Sequence, residues 1–399
     1  MMPRTASARR PVAAGAAALV AAALLAAAAF AGCPEPSASA ASDRTAAPSA
    51  APPSAPLDSA VADTAVLGSA VADSALFTGP RIRAVTLDAR REVPPGTLRR
   101  LREDGVTTVV VVPFGWMSAG AAPEVRMNRD ARWYSEGETG IRALAREADS
   151  LGLAVVLKPH LWVGDGTWSG HVAMTSEADW QAWEASYAAF ADHYARLSAD
   201  IDAPFFVAAT ELGGAARARP AFFRALAARA RTLARAPVAY AANWDEAADL
   251  AFWDAYDAIG VNAYFPLADS ADAAPSEATL ARGWAPHVAA LGALSRRVGR
   301  PVLVTEVGYR STPVAAARPW QHERRGASEP SDLGVQERLY RAFFARVWAQ
   351  PWCAGAVVWK VYGADVDAAR VAADYTPQGK PAEAVLRAHY RAPDPPRGR

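Results

Sequence analysis

The chain has 399 residues, 52% of them hydrophobic, which is enough for a sizeable globular core. Its 42 Lys and Arg residues balance 41 Asp and Glu residues, so the formal net charge is +1. No surplus of positive charge is left to neutralise phosphates, which argues against a nucleic-acid partner. The two cysteines, Cys33 and Cys353, are too few for a disulfide framework.

The first 32 residues predict an export signal. Arg4, Arg9 and Arg10 precede an almost uninterrupted run of Ala, Val and Leu that ends in FAGC at residues 30–33. A pair of small residues directly before a lone cysteine resembles a bacterial lipobox, which implies cleavage of segment 1–32 and lipidation of Cys33. Two alternatives stay open, namely ordinary signal-peptidase cleavage and an uncleaved membrane anchor. We therefore expect an exported lipoprotein that is anchored to a membrane of the cell envelope.

Residues 33–79 predict a disordered linker. The segment consists mainly of Ala, Ser and Pro with few aromatic residues, so it cannot bury enough surface to offset the entropy lost on ordering. Nearly all the tryptophans, tyrosines and phenylalanines follow it. This change of composition predicts one folded domain over residues 80–392, with a short tail at 393–399.

Within this domain, short apolar runs alternate with longer amphipathic stretches. The apolar runs predict eight strands, at residues 82–88, 106–114, 153–163, 203–212, 237–244, 256–265, 301–309 and 354–362. Apolar residues recurring at spacings of three and four predict helices between them, including those at residues 140–152, 177–198, 220–235 and 331–350.

The strand pattern predicts an α/β protein with a (β/α)₈ TIM barrel. The strands are continuously apolar rather than alternating, which indicates burial on both faces and hence a parallel sheet covered by helices. Eight such units in this length fit a barrel. The alternative, a doubly wound open sheet, usually has a glycine-rich first turn that this sequence lacks.

Reactive groups of such barrels lie at the carboxyl ends of the strands. Polar and aromatic residues occupy those ends here, and together they suit a sugar, whose hydroxyls need hydrogen bonds and whose C–H faces stack on rings. These strand-end residues are Lys158, His160, Trp162, Thr210, Glu211, Asn243, Asn262, Tyr264, Glu306, Trp359 and Lys360.

Glu211 and Glu306 are distinct because each ends a strand that is otherwise apolar. Hydrolysis of a glycosidic bond needs one carboxylic acid to protonate the leaving oxygen and one carboxylate to act on the anomeric carbon. Each glutamate could instead pair with a nearby arginine, such as Arg310 beside Glu306. Two glutamates, on the fourth and seventh of eight strands, favour catalysis.

Several motifs in order resemble glycoside hydrolase family 113. They are KPHLWV with GDGTWSG, ATEL, AANWDE, FWDAYDAIGVNAYFPL, TEVGYRS, the PW pair at residues 319–320, and DYTPQGKPAEAVL. The characterised members of that family are mainly β-1,4-mannanases of the retaining barrel clan. The resemblance implies that Glu211 is the acid/base and Glu306 the nucleophile, with their carboxyl groups about 5 to 5.5 Å apart.

These assignments lead to expectations for the surroundings of the glutamates. We expect Tyr264 to donate a hydrogen bond that keeps Glu306 ionised. We expect Glu211 to hold a proton at the working pH, because of a less polar setting and the negative charge of Glu306.

The other strand-end residues have two interpretations each. Lys158 and His160 could bind sugar hydroxyls, although a lone histidine is more often structural. Trp359 could be the floor under the sugar or ordinary packing at the barrel end. Lys360 is interpreted as a further substrate contact.

Two tryptophans and two asparagines complete the expected sugar contacts. Trp162, and Trp168 in the loop that follows it, could form outlying sugar subsites or simply cover the barrel. Asn243 and Asn262 could contact the substrate or fix loops.

Thr210 departs from the broader clan, in which asparagine commonly precedes the acid/base and binds the sugar 2-hydroxyl. Threonine has one hydroxyl and a shorter reach. We therefore expect that contact to be weaker or to come from another residue.

The leading hypothesis is a retaining hydrolase of β-1,4-linked mannan and mannooligosaccharides. Alternatives are a hydrolase or transglycosylase acting on another β-glycan, such as glucan or xylan, and a non-catalytic surface carbohydrate-binding lipoprotein. The sequence predicts no cofactor and no metal site. The expected partners are a β-linked oligo- or polysaccharide and, through the lipid, a membrane; we expect a monomer.

Overall fold

The structure, a computed structural model, describes residues 75–127, 133–269, 274–321, 330–364 and 371–396. The predicted signal segment, Cys33 and the predicted linker up to residue 74 lie outside these ranges. In the ranges that are described, no helix has the length and apolar character needed to cross a membrane.

The strands form two sheets. In chain order they are β1 Ile82–Asp88, β2 Thr108–Val111, β3 Phe114–Met117, β4 Arg126–Met127, β5 Ala154–Leu157, β6 His160–Val163, β7 Phe206–Thr210, β8 Val238–Asn243, β9 Ala258–Asn262, β10 Val302–Val307 and β11 Cys353–Tyr362. Eight of them pair in parallel in the order β5, β2, β1, β11, β10, β9, β8, β7. This order, with the first strand beside the last, is that of a nearly closed (β/α)₈ barrel.

Burial on both faces explains why the barrel strands lack alternation. Every residue of β2, β7, β8, β9 and β10 is buried. One side of each strand faces the barrel interior and the other faces the helices, so apolar residues are favoured at every position. The predicted TIM barrel is confirmed, and the open doubly wound sheet is excluded.

Helices cover the barrel. They are α1 Ala75–Thr78, α2 Thr97–Glu103, α3 Glu138–Ser150, α4 Glu177–Asp200, α5 Gly213–Ala218, α6 Pro220–Ala234, α7 Glu277–Val298, α8 Leu333–Phe343 and α9 Pro381–Arg391, with a π-helical turn at Phe344–Trp348. The side chains of Ser176, Ser276 and Asp332 accept hydrogen bonds from the first turns of α4, α7 and α8. These N-caps satisfy backbone N–H groups that the helices leave unpaired.

Two of the predicted strands are each divided in the structure, and prolines explain the division. The predicted strand 106–114 is split at Pro113 into β2 and β3, and the predicted strand 153–163 is split at Pro159 into β5 and β6. Proline lacks the N–H that a central strand must donate, so the barrel ladder ends there. The chain then enters a separate three-stranded sheet, in which β3 pairs with β4 and β6.

The ends of the described chain pack on the barrel. Phe77, which falls within the predicted linker, is fully buried and its ring lies 5.5 Å from that of Phe205. Asp394, which falls within the predicted tail, accepts hydrogen bonds from the Arg81 amide at 2.7 Å and from the Arg83 guanidinium at 2.8 Å.

Gly308 follows β10 at a point where two backbones approach closely. A Cβ at this position would lie 2.4 Å from the Trp359 carbonyl oxygen and 3.1 Å from the Trp359 Cβ. Only a glycine allows β10 to run this close to β11, and the approach sets the position of Glu306 two residues earlier.

Gly308→Ala should therefore lower the melting temperature, by about 4 °C or more, because β10 or β11 must move to relieve the overlap. Differential scanning calorimetry measures this change. The matched control is Gly334→Ala in the first turn of α8, where the nearest atom is the flexible Arg338 side chain at 3.1 Å. If Gly308→Ala were as stable as that control, the close approach would not constrain the fold.

Candidate active site

Asn262 brings Glu211 and Glu306 to the same mouth of the barrel. Glu306 on β10 is the register partner of Asn262 on β9, so the two residues lie on hydrogen-bonded neighbouring strands. The Asn262 side-chain amide donates to Glu211 Oε1 at 2.8 Å and its Oδ1 accepts from Thr305 Oγ1 at 2.8 Å. Because neighbouring strands are only about 4.8 Å apart, Asn262 contacts Glu211 through its side chain and lies beside Glu306 through its backbone.

Both carboxyl oxygens of Glu306 have donors. The predicted hydrogen bond from Tyr264 is present, with its hydroxyl 2.6 Å from Oε2. Lys158 forms an ion pair with Oε1, and its side chain is almost completely buried. Glu306 itself is only 5% exposed. The two donors fix the plane of the carboxylate, and Lys158, which was expected to meet sugar hydroxyls, is occupied by Glu306.

The backbone of Glu211 has a left-handed conformation, with φ of 51°. For a residue other than glycine this costs about 1 kcal/mol, so the surroundings must enforce it. The Glu211 amide donates to the Ala241 carbonyl at 2.8 Å, and the next amide, of Leu212, donates to the Tyr240 hydroxyl at 3.0 Å. Both contacts come from β8 and hold the turn that points Glu211 into the mouth.

The side chain of Glu211 has three partners. Asn262 donates to Oε1, the Trp168 indole donates to Oε2 at 3.2 Å, and His160 Nε2 lies 3.7 Å from Oε2. Burial alone would raise the pKa of Glu211, but the nearby His160 ring, with the hydrogen bonds from Asn262 and Trp168, lowers it to about 2. The expected rise of this pKa through an apolar setting is not found, because the donors outweigh burial.

Trp359 and Lys360 lie near the end of β11, the strand that pairs with β10 and so adjoins the strand of Glu306. The ammonium of Lys158 is 5.3 Å from the centre of the Trp359 ring. Lys360 pairs with Asp88, which ends β1. Burial, with the charge of Asp88, raises the pKa of Glu136 to about 7, whereas Lys360 acts to lower it. Sequence reasoning missed Asp88, although a carboxylate at the end of the apolar first strand is a signal of the same kind as Glu211 and Glu306.

Three further predicted residues, Asn243, Thr210 and Trp162, likewise make no hydrogen bond to either glutamate within the described part of the chain. Asn243 donates its side-chain amide to Asp245 at 2.8 Å. Thr210 is buried, and its hydroxyl has no hydrogen-bond partner within the described part of the chain. Trp162 lies on β6 of the small sheet. Their contacts to substrate stay predictions.

Glu246 is a buried carboxyl that the sequence analysis did not find. Its Oε1 accepts hydrogen bonds from the Asn243 amide at 2.9 Å and the Tyr240 hydroxyl at 3.3 Å. A Cβ on Gly213 would lie 1.6 Å from its Oε2, so a side chain at residue 213 would displace this carboxyl group. Burial raises the pKa of Glu246 to about 7, with the charge of Glu211 adding to this and the Asn243 amide opposing it. The signal that could have found it is the AANWDE motif, of which Glu246 is the last residue.

Among the residues with described structure, no cluster of three or more His, Cys, Asp or Glu side chains is arranged to hold a metal ion. The mouth instead offers carboxylates, amides and indole rings. Two glutamates on the fourth and seventh strands of a (β/α)₈ barrel are the arrangement that the resemblance implies for retaining barrel glycosidases.

Comparison with known protein families and solved structures also indicates a barrel glycosidase. The profile of Glycoside Hydrolase Family 113 matches residues 89–380, which is most of the chain. The protein belongs to that family and is a glycoside hydrolase. A search of curated protein sequences finds no match.

Solved structures show the same barrel. The GH113 β-mannanase AaManA from Alicyclobacillus acidocaldarius, in complex with ManMIm, is 26% identical, with a TM-score of 0.69 over 79% of this chain and 98% of that one. A second GH113 β-1,4-mannanase is 24% identical, with a TM-score of 0.67 over 78% of this chain and 99% of that one. A β-glucuronidase from Faecalibacterium prausnitzii, at 12% identity, has a TM-score of 0.51 over 78% of this chain and 49% of its own, and shares the fold alone.

Glu246 should make folding stability fall as the pH rises. Its pKa is about 7 in the fold, against 4.5 for the free side chain, so the stabilisation is full below about pH 4.5 and is lost as the pH passes 7. The full shift corresponds to about 3 kcal/mol as an upper limit. Glu246→Gln, which cannot titrate, should remove this part of the decline in urea unfolding between pH 4.5 and 8.

Glu103→Gln on the exposed side of α2 is the control and should leave the pH dependence as in the wild type. Equal slopes for all three proteins would show that Glu246 does not titrate in this range.

Proposed function

We propose that the protein is a retaining glycoside hydrolase that cleaves β-1,4-linked mannan and mannooligosaccharides, with Glu211 as acid/base and Glu306 as nucleophile. The observation that carries the proposal is the contact of Asn262 with Glu211 from a position in register with Glu306. Membership of Glycoside Hydrolase Family 113 and the likeness to the β-mannanase AaManA support mannan as substrate.

In the first step, an oxygen of Glu306 attacks the anomeric carbon of the bound sugar. The bond from that carbon to the glycosidic oxygen breaks, and the oxygen takes its electron pair and the proton of Glu211. Lys158 and Tyr264 hold the Glu306 carboxylate in a fixed orientation, so little entropy is lost when it attacks. The products are a glycosyl-enzyme ester and the departing sugar chain.

In the second step, Glu211 accepts a proton from water, whose oxygen attacks the same carbon and releases Glu306. Two inversions at one carbon give overall retention. Replacing this water by a sugar hydroxyl would give transglycosylation by the same groups.

Glu211 must carry a proton when the first step begins, although its surroundings lower its pKa to about 2. A sugar that covers the mouth removes water and so strengthens the burial effect, which raises the pKa. The glycosidic oxygen also competes with Trp168 for Glu211 Oε2. Substrate binding therefore strengthens the effect of burial and weakens the hydrogen bond from Trp168. Both changes raise the pKa of Glu211.

The remaining mouth residues are proposed as sugar contacts. Trp359 would form a floor under the sugar at the cleavage point, where its ring lies beside Lys158. Lys360, Asn243 and Thr210 would bind hydroxyl groups, and Trp168 would cover the site from its loop.

The protein is also proposed to act as a monomer at the cell envelope, anchored by a lipid on Cys33. The support for the anchor is the sequence alone, because residue 33 lies outside the described ranges. Metabolic labelling with a radioactive fatty acid, compared between wild type and Cys33→Ser, would test it.

The function is tested by incubating the soluble domain, from residue 75 onwards, with β-1,4-mannooligosaccharides and following the product anomers by NMR. The β anomer should appear first and then mutarotate, because two displacements retain configuration. Glucan and xylan oligosaccharides in parallel test the other β-glycans. Initial release of the α anomer would refute the retaining mechanism, and cleavage of only glucan or xylan would refute the mannan assignment.

Glu306→Ala should reduce kcat on mannooligosaccharides by a factor on the order of 10⁴ or more while leaving binding measurable by calorimetry, because it removes the nucleophile and not the sugar contacts. Glu103→Ala, on the surface, is the control. If Glu306→Ala kept wild-type turnover, the nucleophile would have to be another residue. If the wild type bound glycans without turnover, the protein would be a carbohydrate-binding lipoprotein.

His160→Gln should move the limb of the kcat/KM pH profile that Glu211 governs to higher pH. His160 lowers the pKa of Glu211, so its removal lets that pKa rise while the amide keeps a hydrogen-bond donor. His287→Gln, on α7, is the control, since His287 Nε2 lies 3.3 Å from the Pro266 carbonyl oxygen and is not among the groups that change the pKa of Glu211. A shift of this limb to lower pH would contradict the conclusion that His160 lowers the pKa of Glu211.

A further inference from the structure

One face of the small sheet carries four aromatic side chains, which come from β3 and β6. In both β3 and β6 the first and third residues are at least partly exposed, whereas the second and fourth are buried. Alternate residues of a strand point to the same face. The accessible face therefore carries a group that we call the aromatic strip, which comprises Phe114, Trp116, His160 and Trp162.

The strand register places the four rings in two rows. Phe114 is paired with His160, and Trp116 is paired with Trp162, in a parallel ladder. The rings of Phe114 and His160 are 5.5 Å apart. The rows follow one another by about 6.6 Å, which is two residues of strand.

The strip begins at the proposed acid/base. His160 Nε2 lies 3.7 Å from Glu211 Oε2, so the first row meets the glutamate directly. The second row, with Trp116 and Trp162, lies two residues further along both strands. The strip therefore continues outwards from the mouth.

Trp116 is unusually accessible for its size. It is 38% exposed, and among the described residues only Leu333 is a comparably exposed large apolar side chain. The guanidinium carbon of Arg126 on β4 lies 5.6 Å from the centre of the Trp116 ring. An accessible indole with a cation beside it can meet both the C–H face and the hydroxyls of a sugar.

We propose that the aromatic strip binds the leaving-group part of a β-linked glycan, with Trp116 and Trp162 forming a sugar position beyond the one next to Glu211. This inference rests on the proposed function, because the acid protonates the leaving oxygen and so marks the side on which the departing chain lies. The occupant is the substrate's own chain, since the strip is continuous with the catalytic mouth.

The buried opposite face makes the strip a rigid platform. Met117, Leu161 and Val163 are packed beneath it. Little conformational entropy is then lost when a sugar stacks on the tryptophans, which favours binding. Longer substrates gain this contact, and substrates that end next to Glu211 do not.

The test compares Trp116→Ala with wild type on mannohexaose and on a nitrophenyl β-mannobioside, whose leaving group is too short to reach Trp116. We expect kcat/KM for mannohexaose to fall about tenfold, mainly through KM, and that for the aryl substrate to fall less than about threefold. Leu333→Ala is the control for loss of an exposed apolar side chain, and both of its values should match the wild type.

An equal loss on both substrates would overturn the inference, because Trp116 would then act through the structure around Glu211. Unchanged activity on mannohexaose would overturn it as well. If the wild type cleaved no mannooligosaccharide, the proposed function would fail separately. Calorimetric titration of Glu306→Ala, with and without Trp116→Ala, using manno-, cello- and xylohexaose would then test whether the aromatic strip binds a glycan. If Trp116→Ala lowered the affinity for none of the three, the inference would be refuted.

Discussion

The site depends on the need of two buried carboxylates for hydrogen-bond donors. Moving a carboxylate out of water costs several kcal/mol unless donors or a cation replace the lost hydration. For Glu306 these are Lys158, from the end of the third barrel strand, and Tyr264, from beyond the sixth. Lys158 is 148 positions away in the chain, so the compensation exists only when the barrel has formed. The fold and the charges of the site are therefore stabilised together.

Glu211 shows how separate contacts control the backbone and the carboxyl group of one residue. Its left-handed turn is held from β8 by the Ala241 carbonyl and the Tyr240 hydroxyl. Its carboxyl group is surrounded by donors from Trp168, Asn262 and His160. The contacts from β8 determine the direction of the Glu211 side chain, and the donors around its carboxyl group determine its proton affinity. A residue arranged in this way can be brought to a different protonation state by a ligand without moving its backbone.

The small sheet is a consequence of two prolines. Pro113 and Pro159 end the second and third barrel strands early, and the chain then builds β3 and β6 above the mouth. His160 is thereby placed on the small sheet and against Glu211, while Lys158 stays at the barrel and meets Glu306. One short KPH segment thus supplies both glutamates with a partner. The same segment belongs to the motifs that resemble glycoside hydrolase family 113.

The sequence by itself determined the eight apolar strands, the barrel and the strand ends on which Glu211, Glu306, Asn262 and Tyr264 lie. It did so because burial on both faces requires continuous apolar runs, and a polar residue that ends such a run can be recognised from the sequence alone. Only the tertiary structure decided which donor meets which carboxylate, that Glu211 has a lowered rather than a raised pKa, and that Glu246 and Trp116 lie near the site. Those properties depend on distances between groups that are remote in the chain, and hydrogen bonds and charges act through space rather than along the sequence.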